Sequence, residues 1–388
     1  MAMYSAWRTQ WQIVKQDKWL LSCLTWMPVA LVVILWGVFS QGLARNIPIA
    51  VVDLSHSEMS RTLTRYYDAT SSMAVVAEMQ SAYQAEQAMI VGDIFAYAVI
   101  PANFEQDVIK GLMPQVSVFY NSQTILIGKL INSAFVQAQA TFNAQVATVA
   151  NLSHGNQTFA SALGQALPVR TQITPLFNKN SNYAQFLVSA IVPALWQIVV
   201  VACTILVLAA NLQHQGLKNW LNQSPAKTLI VTLSPYLIVF VLQGVAFLTW
   251  FQFCLKWPMH GSFALIILAQ ILTAIACMVM GTMFYFLSLD PARAMSFAGA
   301  LTAPSFAFMG ITFPVSDMNS LAQFWRSLLP ISHYIEVQVE QMNYGLGWID
   351  SLPSLLPFIG YLLPLLVALM LINKHLKQER GNEPVKTA

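Results

Sequence analysis

Six histidines, His56, His154, His214, His260, His333 and His375, are scattered along the 388 residues, with no two at a metal-ligand spacing and no cysteine beside them. Zinc sites draw on closely and regularly spaced Cys and His, so surface or interface roles are expected for these rings and no metal site is predicted. The four cysteines, Cys23, Cys203, Cys254 and Cys277, lie in or at the edge of apolar runs and predict neither a disulfide framework nor a ligand pair. No G-x-x-x-x-G-K-[ST] occurs, and Gly128-Lys129 lacks both the upstream glycine and the following hydroxyl residue, so this chain has no phosphate-cradling loop of that type. What remains is largely uncharged: Gln197, Thr204, Gln243, Gln270, Thr273 and Thr302 inside apolar runs, and Gln213, Gln215, Lys218, Asn219 and Trp220 around Gly216. In an apolar setting, Gln and Thr either line a substrate path or bond one helix to another. The Met- and Phe-rich stretch 278–313, which includes Met283 and Phe306, suits an adaptable apolar cavity or a lipid-facing surface.

The elements that must position these groups are read from hydropathy. The chain is 56% hydrophobic and 9% charged, far from the roughly 25% charged residues of a soluble domain. Runs long enough to cross a bilayer, for which about 20 apolar residues suffice, lie at 19–39, 184–210, 228–255, 262–288, 294–313 and 352–372, the fifth interrupted by Pro304 and Gly310. In lipid such runs must be helices, because backbone polar groups have no other partners. The expectation is an α-helical polytopic membrane protein with six transmembrane helices. The first run exceeds a signal peptide's apolar region and has no small-residue cleavage site after it, so it reads as a retained anchor. Apart from boundary residues the spans carry almost no ionisable group, which counts against a proton- or sodium-driven carrier.

Before the first span, Met3, Trp7, Trp11 and Val14 fall at three- and four-residue spacing, as in an interfacial amphipathic helix over residues 1–18 or an ordinary aromatic flank. Arg8, Lys15, Lys18, Lys218, Lys227, Arg293, Lys374, Lys377, Arg380 and Lys386 fall on one face if all six spans cross, which predicts both termini in the cytoplasm. A net charge of +3 points to no nucleic-acid partner. Residues 42–182 then lie outside. They open with strand-like 47–53, a Ser55-x-x-Glu58 capping box and a helix showing Met59, Leu63 and Tyr66. Strands at 73–76, 95–100 and 116–120 alternate with helices at 81–91 and 102–111, the pattern of an inserted α/β extracytoplasmic domain. A long helix from Ser122 to about Leu152 follows, its stripe of Ile127, Ile131, Ala134, Ala138, Phe142, Gln145 and Val149 facing either a partner or its own sheet. Polar residues 151–182 read as a returning linker, and 314–350 as short re-entrant helices broken at Pro330.

This order of parts resembles the type-2 ABC exporter permeases, in the bacterial branch with a large external domain after the first transmembrane helix. The residues that carry the resemblance span the whole chain: Val51, Val52, Asp53 and Ser57; Phe177 and Asn178; Gly216; Ser224 and Pro225; Pro235 and Tyr236; Gly310 through Phe313 and Pro314; Leu329 and Pro330. The resemblance implies a non-enzymatic permease of the bacterial inner membrane that exports amphipathic or hydrophobic, drug-type compounds. ATP and magnesium would be held by a separate cytoplasmic ATP-binding subunit, with no cofactor on this chain. Lipid or glycan export, and a non-transporting module that transmits ATP hydrolysis to the periplasm, are the alternatives. It further implies a coupling helix over 216–222 with Gln213, Gln215, Gly216, Lys218, Asn219 and Trp220 as its contacts, Trp220 filling a pocket of the ATPase. Gly310, Phe313, Pro314 and Pro330 would form an external gate or re-entrant break, and Gln197, Thr204, Met283 and Phe306 the substrate path. The family pattern usually has acidic residues flanking the loop glycine and often Arg where Val339 stands. This loop has no carboxylate, so a heterodimer with a second permease is expected over a homodimer, with membrane lipid and a periplasmic adaptor as further partners. The tail, 374–388, would be cytoplasmic.

Overall fold

The computed structural model describes residues 2–40, 45–123, 125–153, 158–166, 176–178, 182–221 and 224–381. It divides into two compact units, Met1–Gly42 with Pro175–Ala388, and Leu43–Thr174.

The first unit opens with helix α1 (Ala2–Gln16). The expected stripe is displaced: Gln10, Ile13 and Val14 are buried, while Trp11 is 59% exposed with the Lys15 ammonium 5.2 Å from its ring. Gln10 has buried amide partners, described below, and these set the rotation of the helix; the side chain of Met3 lies outside the described residues. Asp17 ends α1 and caps α2 (Lys18–Leu24) by accepting from the backbone of Trp19 and Leu20. Helix α3 (Trp26–Phe39) then leaves at a 48° bend centred on Thr25, so the first apolar run is a bent pair instead of one straight helix. Pro28 supplies the reason. It has no N–H to give the Leu24 carbonyl, and the Gln243 side-chain amide donates to that carbonyl instead, at 2.9 Å.

The second unit has strands β1 (Ile47–Asp53), β2 (Met73–Glu78), β3 (Ala96–Ile100) and β4 (Ser117–Tyr120), alternating with helices α4 (Glu58–Asp68), α5 (Ala82–Val91) and α6 (Phe104–Ile109). The sheet order is β2-β1-β3-β4; the first three strands are parallel and β4 is antiparallel to β3. The capping box is Ser57 with Ser60, not Ser55 with Glu58. Asp53 folds residues 55 and 56 into a turn by accepting both their N–H groups, which delays the helix to Glu58. Helix α7 (Ile125–Ser153) buries Ile131, Ala134, Ala138 and Phe142 on Ile49, Leu63 and Tyr67, so most of its stripe covers its own sheet. Tyr67, buried, donates to Gln139 at 2.7 Å, and burial raises its phenol above the ordinary range. Part of the expected linker is helical: α8 (Phe159–Ala166) packs on α7, with Asn151 donating to the Ala162 carbonyl.

The first unit resumes with α9 (Tyr183–Gln215), α10 (Leu217–Leu221), α11 (Pro225–Thr249), α12 (Phe263–Ser288), α13 (Pro291–Thr302), α14 (Ser305–Phe308), α15 (Ser320–Ser327), α16 (Pro330–Val339), α17 (Trp348–Ser351) and α18 (Leu362–Gly381), the last preceded by a 3₁₀ stretch from Pro353. Among the described residues, four continuous helical segments are long and apolar enough to cross a membrane: Tyr183–Gln215, Pro225–Cys254, Phe263–Ser288 and Trp348–Arg380. The bent pair α2–α3 makes a fifth if its two helices form one span. The run expected at 294–313 is not one helix, because α13 stops at Thr302 ahead of Pro304 and α14 has only four residues. Two glycines set the closeness of α12. A Cβ on Gly281 would sit 3.0 Å from the Val201 carbonyl of α9, and one on Gly244 of α11 would meet Gln270 at 2.8 Å.

Candidate functional site

Two regions of the helical unit gather the residues expected to act, one around Gly216 and one around α16. Helix α9 ends because Gly216 adopts φ +71°, its N–H returning to the Leu212 carbonyl at 2.9 Å. Gly216 and Asn219 are exposed, as is Gln213; Gln215 and Lys218 are half-buried. Leu217, Trp220 and Leu221 point inward. Trp220 is only 6% exposed, and its indole N–H donates to the Thr232 hydroxyl at 3.2 Å. The expectation that Trp220 reaches into a partner is therefore corrected: at i, i+3 and i+4 the three apolar residues of α10 form the face that seats it on its own chain. Asn222 lies outside the described residues.

Behind this turn stands a polar knot that the sequence reading did not single out. Gln10 and Asn211 exchange amide hydrogen bonds at 2.7 and 3.0 Å. Tyr236 donates to the Gln10 carbonyl oxygen at 3.1 Å, and Gln215 donates to that of Asn211 at 3.0 Å. Gln10, Asn211 and Tyr236 are buried. One knot thus joins α1, the end of α9 and α11 beside the Gly216 turn. Asn211 sits one residue beyond an unbroken apolar run, a position where a buried amide needs a partner.

At the other region, Gly310 has φ +91°, and a Cβ there would lie 2.8 Å from Val315 Cγ2. Only glycine takes that conformation without strain. Phe313 is half exposed, and Pro314 precedes a single 3₁₀ turn, Val315–Asp317. Pro330 occupies the first turn of α16, where its missing N–H costs nothing. Almost all of α16 is buried, and glutamines hold it. Gln197 of α9 accepts from the Ile331 N–H at 2.9 Å, Gln270 of α12 donates to the Tyr334 hydroxyl at 3.2 Å, and Gln338 donates to the Ser189 carbonyl at 2.8 Å. His333 is buried too, 3.2 Å from the Ser327 carbonyl and edge-on to Phe358, which leaves it the interface role and not the surface one of the two expected for these rings. Arg326 bonds Glu336 at 2.9 Å across the turn before α16.

The four residues expected along a substrate path are buried or half-buried within the helical unit. Gln197 is fully buried and engaged with α16, and Thr204 returns its hydroxyl to the Val200 carbonyl at 2.7 Å beside Gly281. Met283 and Phe306 are half-buried against the helical core. Two apolar cavities lie elsewhere: one of about 240 Å³ between α3, α9 and α11, and one of about 360 Å³ between α11, α12 and α18. None of the four expected path residues lines either. Among the described residues no group of three or more His, Cys, Asp or Glu is placed to hold a metal ion.

A family model described as ABC-2 family transporter protein matches residues 18–373, nearly the whole chain. The chain belongs to that family. No curated protein and no solved structure matches it. As an ABC-2 family protein it is a multi-pass membrane component of an ABC transporter, a class of chain that is generally non-catalytic and works with an ATP-binding subunit. The match includes both the Gly216 turn and the Gly310 break. It begins at Lys18, so α1 and its Gln10 lie before the matched residues.

Proposed function

We propose that this ABC-2 protein is the permease subunit of an ATP-driven exporter of amphipathic or hydrophobic compounds, working in the inner membrane of a bacterium with both termini cytoplasmic and residues 43–174 outside. The observation that carries this reading is the charge-free interior of the membrane helices. Residues 183–210, 228–255, 263–288 and 352–372 contain no Asp, Glu, Lys, Arg or His, so no side chain there is suited to bind a coupling proton or sodium ion. The energy must enter at the end of the helices. The Gly216 turn suits that role: its outward side offers Gln213 and Asn219, and its inward side is fixed by Trp220 and the polar knot. In this reading ATP and magnesium stay on the partner subunit. The six-span arrangement holds if α13 and α14, with the turn after them, together make a broken fifth crossing, and α16 is then the re-entrant element.

The absence of carboxylates from Leu212 to Trp220 supports a division of labour in which a second permease supplies the charge-paired contact, hence a heterodimer. The outer unit is then the part that meets an adaptor. The test is co-purification of this chain with its ATP-binding subunit, followed by ATPase and vesicle-uptake assays with and without cationic amphiphiles. Stimulated hydrolysis with accumulation in inverted vesicles is the expected result. Hydrolysis that is indifferent to amphiphiles, with no flux, would overturn drug-type export; a purified complex holding two copies of this chain and no second permease would overturn the heterodimer.

A further inference from the structure

Three sulfur atoms meet where the first apolar run bends. Cys23 lies in the last turn of α2 and Met27 in the first turn of α3, on either side of Thr25. The Cys23 thiol donates to the Met27 thioether across a sulfur–sulfur distance of 3.8 Å. It is also hydrogen-bonded to the Cys203 thiol of α9. Its own proton is given to Met27, so Cys203 is the donor in that second bond. Cys203 is fully buried, whereas Cys23 and Met27 are half-buried, so the set is closed on the α9 side and reachable on the other. Thiol and thioether are weak hydrogen-bonding groups, but they are the ligands that soft metal ions prefer. With metal–sulfur bonds of about 2.3 Å, three sulfurs around one ion stand about 4 Å apart. The separation of Cys23 from Met27 already matches that spacing.

We propose that Cys23, Met27 and Cys203 form a binding site for a soft monovalent metal ion, Cu(I). In the binding step the Cys23 S–H bond breaks, a sulfur–metal bond forms and the proton leaves to solvent, with no change of oxidation state. One thiolate then cancels one positive charge, while Met27 and Cys203 add neutral sulfur. A divalent ion would keep a net charge in an apolar surrounding, which is costly; the carboxylate whose charge is felt at Cys23, that of Asp17, is committed to the cap of α2. The ion joins α2, α3 and α9 and so fixes the bend between the first two. The thioether is what completes the set, since His, Cys, Asp and Glu alone gather in no group of three among the described residues. The site stands whether or not the chain exports amphiphiles.

The test presents Cu(I) anaerobically to the full-length, reduced protein in detergent, with bicinchoninate as the competing chromophoric chelator. One ion per chain is expected, and X-ray absorption is expected to show a shell of sulfur alone at about 2.3 Å. Met27→Leu conserves volume, so the fold tolerates it, and it removes the thioether. It is expected to weaken binding by about tenfold or more, because even changes outside the ligand shell cost about 10- to 100-fold in metal affinity. Cys23→Ser and Cys203→Ala are expected to weaken binding at least as much. Cys254→Ser removes the exposed thiol outside the set and is expected to bind like the parent. Met27→Leu is the deciding variant: affinity equal to the parent's overturns the proposal. So does a shell containing nitrogen or oxygen, an equal uptake of Zn(II), or a reduced protein that holds no ion against the chelator. Binding that disappears with Cys254 would mean an adventitious ion only, and overturns it as well.

Discussion

The knot behind Gly216 and the cradle around α16 use the same side chains to opposite ends. In the knot, Gln10, Asn211, Gln215 and Tyr236 bond to one another, and none of their buried polar atoms lacks a partner. Around α16 the glutamines reach mostly for backbone, and each leaves one atom unmatched: Gln197 Nε2, Gln270 Oε1 and Gln338 Oε1, with the Ser332 hydroxyl beside them. An unpaired buried polar atom costs about 1–3 kcal/mol. The knot is thus a joint already at its best arrangement, whereas the cradle has bonds still to gain from another one. Rearrangement is therefore cheaper around α16 than beside the Gly216 turn.

The largest effect that would break this contrast is at the rigid end. Trp220→Ala removes a buried ring and orphans Thr232, an expected loss of about 3–5 kcal/mol, read as a lower thermal midpoint in detergent together with lost ATPase assembly. An intact midpoint would show that the indole does not seat α10. Asn211→Leu takes the acceptor from Gln10 Nε2 and leaves its Oε1 with Tyr236 alone, at about 1–3 kcal/mol, and should free α1, seen as faster amide exchange across residues 2–16. At the looser end, Gly310→Lys forces a Cβ into Val315 and an unfavourable φ, about 1–3 kcal/mol; transport is expected to fail while the chain still inserts, and normal flux would remove the break from the mechanism. The smallest effect sharpens the comparison most. Gln270→Met leaves the buried Tyr334 hydroxyl without its donor but removes an unpaired amide oxygen, so the two effects offset and stability should shift by about 1 kcal/mol or less, and a shift as large as that of Asn211→Leu would erase the distinction.

How much of this was legible follows from the range of the interactions. The apolar runs other than the fifth and the strand-helix alternation of residues 47–120 are local patterns, and both appear in the structure. The inward face of α10 is legible too, since Leu217, Trp220 and Leu221 have helical spacing, although the resemblance to the permeases points the aromatic outward as a contact. Nothing local announces the pairing of Gln10 with Asn211, which joins residues 201 positions apart. The same holds for Gln197 with Ile331. The sequence leaves glutamines within spans as either path or glue, and only the fold shows which group each one reaches, the Ile331 N–H for Gln197 and the Tyr334 hydroxyl for Gln270. Pro304 did mark the place where the fifth run fails, because proline removes a helix bond wherever it falls.

The carbonyl that Pro28 leaves open on Leu24 has a mechanical consequence. A helix kink normally belongs to the helix that bears it, but here the closing bond comes from Gln243 on α11. The tilt of α3 is consequently geared to the rotation of α11: turning α11 about its axis withdraws the amide and strands the carbonyl in an apolar surrounding. The two helices must turn together or pay the cost of a broken bond. Motion begun at the Gly216 end of α11 would reach the start of the chain's first crossing through a single amide.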